Sequence, residues 1–356
     1  MDSLKPVTFP QDHQAHESII EWWYFNGLLH DKSSRQYSFM DCLFKANLKK
    51  VGIPFLSKIQ PVKISSHSPY IFFAHSVVSD IAEQKSYKEI QTISLVSRDS
   101  FTRPLLFVNY TNPMLIVNYV NNEIIETEPN CFHLKTENID LQLDSKKPAL
   151  LEGGQGHITV CGRQSYYYSL TDLQVRGTIT VDGERVEVEG RAWMDHQWAD
   201  VKYAKDKWTW FSLQLDDGTD IMCVEYDDGK TKEYLVDVLS TSGASNHYKQ
   251  MVLTPRQETW NSKRTKSKFP MAWDISLPDL AANLSVRSMT TADQEMIFGS
   301  INYWEGPITV AGTINGKNVK GYGFMELVGF PSDYNYLLLT GKEFHRKFWK
   351  RVSKTK

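Results

Sequence analysis

The chain has 356 residues, 41% hydrophobic, 12% aromatic and 23% charged, with 40 Lys and Arg set against 42 Asp and Glu. That length exceeds the common single-domain size of roughly 100 to 150 residues, so two domains are expected, and the composition excludes a disordered, collagen-like or coiled-coil chain. The balanced charge excludes a partner held by a basic stripe, so neither nucleic acid nor stable membrane insertion is expected.

The N-terminal run MDSLKPVTFPQDHQAHES has no apolar leader core, and no later stretch approaches the roughly 20 uninterrupted apolar residues that span a bilayer. A cytoplasmic chain, monomeric or homodimeric, is the expectation. Asp12, His13 and His16 in PQDHQAH are metal-ligand types, but such spacing is common by chance, the segment precedes the first strand and no second cluster stands out. No metal or other cofactor is assigned.

EWWYF at 21–25 reads as an aromatic strand. Glu21, like Glu305 in YWEG, is a carboxylate packed among rings and is expected to pair with Arg or a backbone donor for structural reasons. Cys42, Cys131, Cys161 and Cys223 form no CxxC pair and read as buried free thiols. Tyr166, Tyr167 and Tyr168 alternate rings to both faces of one strand, to line a pocket on one side and pack on the other. Hairpins follow at 177–190, turning at Asp182-Gly183, at 211–229, and at 308–323, turning at Asn315-Gly316. The clearest helical spacing comes after Gly341, where the tail is also basic.

The chain also repeats itself. EWWYFNGLL aligns with KWTWFSLQL, matching Trp22 to Trp208, Phe25 to Phe211 and Leu29 to Leu215. Further on, Gly177-Thr178-Ile179 matches Gly312-Thr313-Ile314, and Gly190-x-x-Trp193-Met194-Asp195 matches Gly321-x-x-Phe324-Met325-Glu326. Two tandem copies of one antiparallel unit explain both matches, and two β-barrels remove the exposed edges.

The repeat supplies its own control. His196-Gln197-Trp198 in the first copy stands where the second has Leu327-Val328-Gly329, so folding alone does not demand the imidazole and the indole. On an extended strand Met194, His196 and Trp198 share one face while Asp195 and Gln197 point away. A His among apolar neighbours can serve as a base, or as an acid beside a carboxylate; the alternative is a core His bonded to a backbone carbonyl. Glu225 alternates onto a face with Ile221 and Cys223, where its pKa would rise, unless Met222, Val224 and Tyr226 take the core and leave Glu225 in solvent. GxSxG, P-loop and GxGxxG signatures are absent from the sequence.

In order along the chain, PQDHQAH, EWWYFNGLL, YYYSLTD, RAWMDHQW, WFSLQLDDG, YWEGPI and GYGFMEL resemble the lipocalin-like AttH and carotenoid 1,2-hydratase (hydroxyneurosporene synthase) family. The resemblance implies an all-β fold of two tandem lipocalin-like antiparallel β-barrels, placed at residues 1–200 and 201–345, with a basic tail at 346–356. It also implies a relation to enzymes that hydrate an isolated alkene and, more remotely, to cyclases that promote pericyclic ring closure. The hydratases pair His-x-Trp with a downstream Tyr-x-Asp acid. His196 and Trp198 match the first part, but Cys223-Val224-Glu225 stands at the second, so Glu225 replaces the Asp and the Tyr is missing.

The expected function is therefore a cofactor-independent acid/base hydratase or cyclase of an apolar unsaturated small molecule such as a polyene, terpenoid or polyketide. Glu225 would donate the proton, Trp198 would stabilise the cation by about 0.5 to 2 kcal/mol, and His196 would orient the acid or remove a proton later. Trp23, Tyr168, Met194, Trp210, Cys223, Tyr303 and Trp304 are the expected pocket residues. The alternatives are a non-catalytic carrier of a lipophilic ligand and a pericyclase.

Overall fold

The computed structural model describes residues 5–47, 50, 70–91, 106–108, 115–119, 122–201, 206–298 and 301–331. The helical pattern after Gly341 and the basic tail lie outside the described residues. Among those described, strands dominate, and no helix is long and apolar enough to cross a membrane.

The fold is all-β, with two tandem lipocalin-like antiparallel sheets. In the first, the strands run in the order Lys85–Gln91, Tyr70–Asp80, Gln36–Asn47, Ile20–His30, Glu184–Ala199, Arg163–Val181, Ile139–Ser145, Cys131–Lys135 and Asn122–Glu128, with two short strands beyond. The second follows the same path: Ser245–Tyr248, Lys232–Leu239, Asp220–Asp227, Lys207–Leu215, Lys317–Val328, Ile301–Ile314, Ala282–Ser288, Ala272–Leu277 and Val252–Pro255. In each sheet the opening aromatic strand lies beside the closing one, as the repeat requires.

Local chemistry sets these elements. The hairpins turn at Asp182-Gly183 and Asn315-Gly316, where all four residues have positive φ, the backbone that a tight two-residue turn needs. Gly190 and Gly321, matched in the repeat, do the same job: a Cβ on either would collide with a neighbouring strand's backbone, the carbonyl of Leu28 in one case and of Gln214 in the other. The sequence motif thus records two close approaches between strands.

Alternation then sorts side chains between three apolar clusters. Trp23, Phe25, Phe39, Leu43, Tyr168, Met194 and Trp198 fill the concave side of the first sheet. Phe211, Leu213, Ile221, Cys223, Trp304 and Leu327 fill that of the second. The outer faces meet in a seam: Tyr24, Met40, Cys42, Tyr167 and Trp193 against Trp210, Met222, Val224, Tyr303 and Phe324. Both faces of Asp220–Asp227 are therefore buried, one in the second core and one in the seam.

The seam is also where the carboxyls of the matched positions face each other. Asp195 accepts from Tyr167 Oη at 2.6 Å, Ser169 Oγ at 2.6 Å and Trp193 Nε1 at 2.6 Å. Glu326, its repeat equivalent, accepts from Trp208 Nε1 at 2.7 Å and stands directly opposite Glu305 across the strand pair.

Candidate active site

His196 is wholly buried on the concave side of the first sheet, opposite Trp23 on one neighbouring strand and Tyr168 on the other. Parity puts it there: Met194, His196 and Trp198 point inward, while Asp195 and Gln197 point to the seam side, Gln197 bonding to Ser165 Oγ at 2.8 Å. Trp23 stacks on the imidazole at 4.9 Å between ring centroids. Trp198 lies in a sandwich between His16 at 3.8 Å and Tyr166 at 5.0 Å, both nearly parallel to it.

The PQDHQAH segment completes the cluster. It makes a short turn at Gln11–His13 and then lies over the aromatic strand, so that residues set aside in the sequence reading join His196 through hydrogen bonds. Glu21 is the hub. Its Oε1 accepts from His196 Nε2 at 3.0 Å and from His16 Nδ1 at 2.8 Å, and its Oε2 accepts from Lys45 Nζ at 2.6 Å. Lys45, itself wholly buried, also donates to the carbonyl of His16. His16 passes its second N–H to Asp12 Oδ1 at 3.1 Å. Glu21 therefore has three side-chain partners, none of them an Arg, and the backbone N–H of His16, a donor of the kind expected from sequence, adds a fourth contact at 3.0 Å.

On its other side His196 presents Nδ1 to Tyr168 Oη at 3.2 Å, and the same hydroxyl lies 2.6 Å from His13 Nδ1. His13 Nε2 faces Asn130 Oδ1 at 3.0 Å, an acceptor, so that nitrogen carries the hydrogen and Nδ1 is bare. His196 Nε2 likewise carries a hydrogen for Glu21, which leaves its Nδ1 bare. Two buried imidazole lone pairs thus compete for one phenolic hydrogen, and the shorter contact is with His13.

The charges fit this picture. Burial works against an ionised Glu21, yet the bonds from His16 and His196 and the charge of Lys45 hold its carboxyl well below the usual carboxylate range. Burial lowers His196 to about 4, against the pull of Glu21, and lowers His13 to about 4 as well, helped by His196. Both rings are neutral at physiological pH. His16 differs: burial disfavours its charge, but Asp12 and Glu21 outweigh it and raise the ring above the ordinary imidazole value. Burial pushes the Tyr168 phenol well up, so its proton is retained for donation.

His16 Nδ1, Glu21 Oε1 and His196 Nε2 all lie within 4.8 Å of one another, a spacing a metal ion could bridge. Each nitrogen instead donates to the same carboxylate oxygen, and Lys45 already counters that carboxylate. A dication would add charge to a dry, already balanced group, at high cost. The arrangement suits proton transfer better than metal binding.

The structure gathers Trp23, Tyr168, Met194, His196 and Trp198 and disperses the other expected site residues. Cys223 and Trp304 belong to the second core, where Leu327 and Thr209 occupy the positions of His196 and Trp23. Trp210 and Tyr303 are seam residues, the first donating to Tyr167 Oη at 3.0 Å and the second bonded to His75. Glu225 stands on the second sheet, with its carboxylate 3.0 Å from Lys232 Nζ. Among the described residues no hydrogen bond, ion pair or ring contact joins it to His196. Of the residues missed, Asp12, His13, His16 and Glu21 carried a signal in their clustering ahead of an aromatic strand; Lys45 and Asn130 carried none.

A family model described as AttH-like matches residues 1–330. The chain is 23% identical over 203 residues to the dehydratase asqC of Emericella nidulans and 22% identical over 203 residues to the kievitone hydratase of Fusarium solani subsp. phaseoli, covering 53% and 54% of this chain. Each match spans a little over half of the relative, 57% of its length. A solved structure from Nitrosomonas europaea assigned to AttH superposes with a TM-score of 0.75 at 26% identity, over 92% of this chain and 98% of that one.

Proposed function

The chain belongs to the AttH-like family, and from that premise we propose that it interconverts an apolar alkene and the corresponding alcohol, as a hydratase or dehydratase, inside the first sheet. One observation carries the reading: two buried, neutral imidazoles share a single phenolic hydrogen, so one lone pair is left without a donor. An unsatisfied buried acceptor costs about 1 to 3 kcal/mol, and a water molecule or a ligand hydroxyl held there would repay it. In hydration, His196 Nδ1 accepts the proton of the attacking water while Glu21 holds the ring through Nε2. In dehydration the same ring returns a proton to the departing hydroxyl. Tyr168 orients that oxygen.

The rings around this point supply the rest. Trp23 and Trp198 present π faces beside His196, and a cation formed on a substrate carbon is stabilised there by about 0.5 to 2 kcal/mol per ring. One of the relatives is named a dehydratase and the other a hydratase, and hydration and dehydration are opposite directions of a reaction type that such a site can serve either way. The base assigned here lies in the first sheet, and the role expected of Glu225 has no support from its position.

The direct test is incubation of the full chain with kievitone and, separately, with citronellol, in heavy-oxygen water, followed by mass spectrometry. Incorporation of labelled water by the wild type, reduced at least a hundredfold in His196→Gln, is expected for a general base. Unchanged recovery of a tightly bound molecule would overturn the reading in favour of a carrier.

A further inference from the structure

Resting on the hydratase reading, we propose that Asp41 is the acid of this site and delivers a proton to carbon, with Ser76 positioning its carboxyl. Asp41 stands in Gln36–Asn47 opposite Phe25 and Ser76. It alternates with Phe39 and Leu43, and Ser76 with Ala74 and Val78, all of the first core, so both polar groups point into the concave side. Asp41 is 4% exposed and Ser76 2%. Asp41 and Ser76 face each other across the strand pair, and neither Asp41 Oδ1 nor Ser76 Oγ has a hydrogen-bond partner outside this pair. Buried polar groups are almost always paired. A carboxyl and a hydroxyl left over together in an apolar wall mark a point where a ligand is handled.

The surroundings suit an acid that acts on carbon. Phe25, Phe39, Leu43 and Ala74 form the wall around Asp41, and Glu89, opposite Ser76, is the charged neighbour. Burial, then Glu89, push the Asp41 carboxyl up to about 7 against the pull of the Ser76 hydroxyl, so its proton is available at neutral pH. Phe25 stands between Asp41 and Met194, and Trp23 between Leu43 and His196. Asp41 and His196 are thus two strands and two residues apart, about 12 Å along the sheet by standard spacings.

The step balances. The Asp41 O–H bond breaks as the π electrons form a C–H bond, leaving a tertiary cation and the carboxylate. Water adds through oxygen, His196 Nδ1 takes its proton and releases it to solvent, and solvent returns one proton to Asp41. Alkene and water become alcohol, and the protein is unchanged.

The test separates this step from water capture. Citronellol, a trisubstituted alkene, is incubated in deuterium oxide with the full-length wild type, Asp41→Asn, Asp41→Glu and His196→Gln. Deuterium is expected on the hydrogen-bearing carbon of the double bond of recovered alkene with the wild type and His196→Gln, at least a hundredfold less with Asp41→Asn, and partly restored with Asp41→Glu. Infrared difference titration adds a readout without ligand: a protonated-carboxyl band near neutral pH that folded Asp41→Asn lacks. Undiminished wash-in by folded Asp41→Asn, or no such band in the wild type, overturns the assignment while the His196 reading stands. Neither wash-in nor hydration of citronellol or kievitone by the wild type overturns both.

Discussion

His196 and Glu21, 175 positions apart in sequence, are joined by a hydrogen bond of 3.0 Å with both side chains fully buried. The bond fixes which imidazole nitrogen carries the hydrogen, and Lys45 keeps the carboxylate charged. Glu21→Gln should therefore lower turnover at least tenfold by releasing the tautomer, and should destabilise the fold by about 3 to 5 kcal/mol, because the buried Lys45 charge loses its carboxylate. Urea denaturation of Glu21→Gln beside the double variant with Lys45→Met checks this. The double variant is expected to recover most of the stability and none of the turnover.

Tyr168→Phe removes the one hydrogen that, among the described residues, is offered to the two bare nitrogens. A stability loss of about 1 to 3 kcal/mol is expected from the orphaned His13. The Nδ1 resonances of His13 and His196 should both move in nitrogen-15 spectra. A shift at only one of them would show that the hydroxyl is not shared.

The seam carboxyls set the pH dependence of stability. Burial pushes Glu326 up to about 7, with Trp208 pulling down and Asp195 adding to the push; burial likewise raises Asp195 to about 6. An unfolded Glu titrates near 4.3. The folded protein therefore holds a proton that the unfolded chain has lost, and the stability this gives is complete below about 4.3 and lost as pH rises through about 7. His13 and His196 act in the opposite sense, contributing stability above an unfolded value of about 6.5 that is lost as pH falls through about 4. The difference in unfolding free energy between Glu326→Gln and wild type isolates the first effect. It should shift in favour of the variant by a few kcal/mol between pH 4 and pH 7.

Gly190 and Gly321 make equivalent close approaches in the two sheets. Gly190→Ala and Gly321→Ala should each cost about 1 to 3 kcal/mol, as overpacked sites do. Denaturant midpoints will show whether the two losses are alike.

Most of the fold could be read from the sequence because its signals are local. Asp182-Gly183 and Asn315-Gly316 name their turns, and the matched glycines and aromatics give the duplication. The placing of Met194, His196 and Trp198 on one face follows from strand parity. The site was only half legible, since its other half depends on which distant strands become neighbours. Nothing near Lys45 says that it will meet Glu21, and nothing near Asn130 says that it will meet His13. Glu225 misled for a related reason: its strand is apolar on both faces, so alternation alone could not tell a pocket from a seam or show that the carboxylate ends beside Lys232.

Asp195 and His196 are consecutive residues whose side chains lie on opposite sides of one strand, the first tied into the joint between the sheets and the second into the buried cluster around Glu21. A single peptide unit is the hinge pin between them. Cutting the molecule at the joint would bare Tyr24, Met40, Tyr167 and Trp193 to water and free the anchor behind the imidazole. The second sheet thus works as a splint for the first.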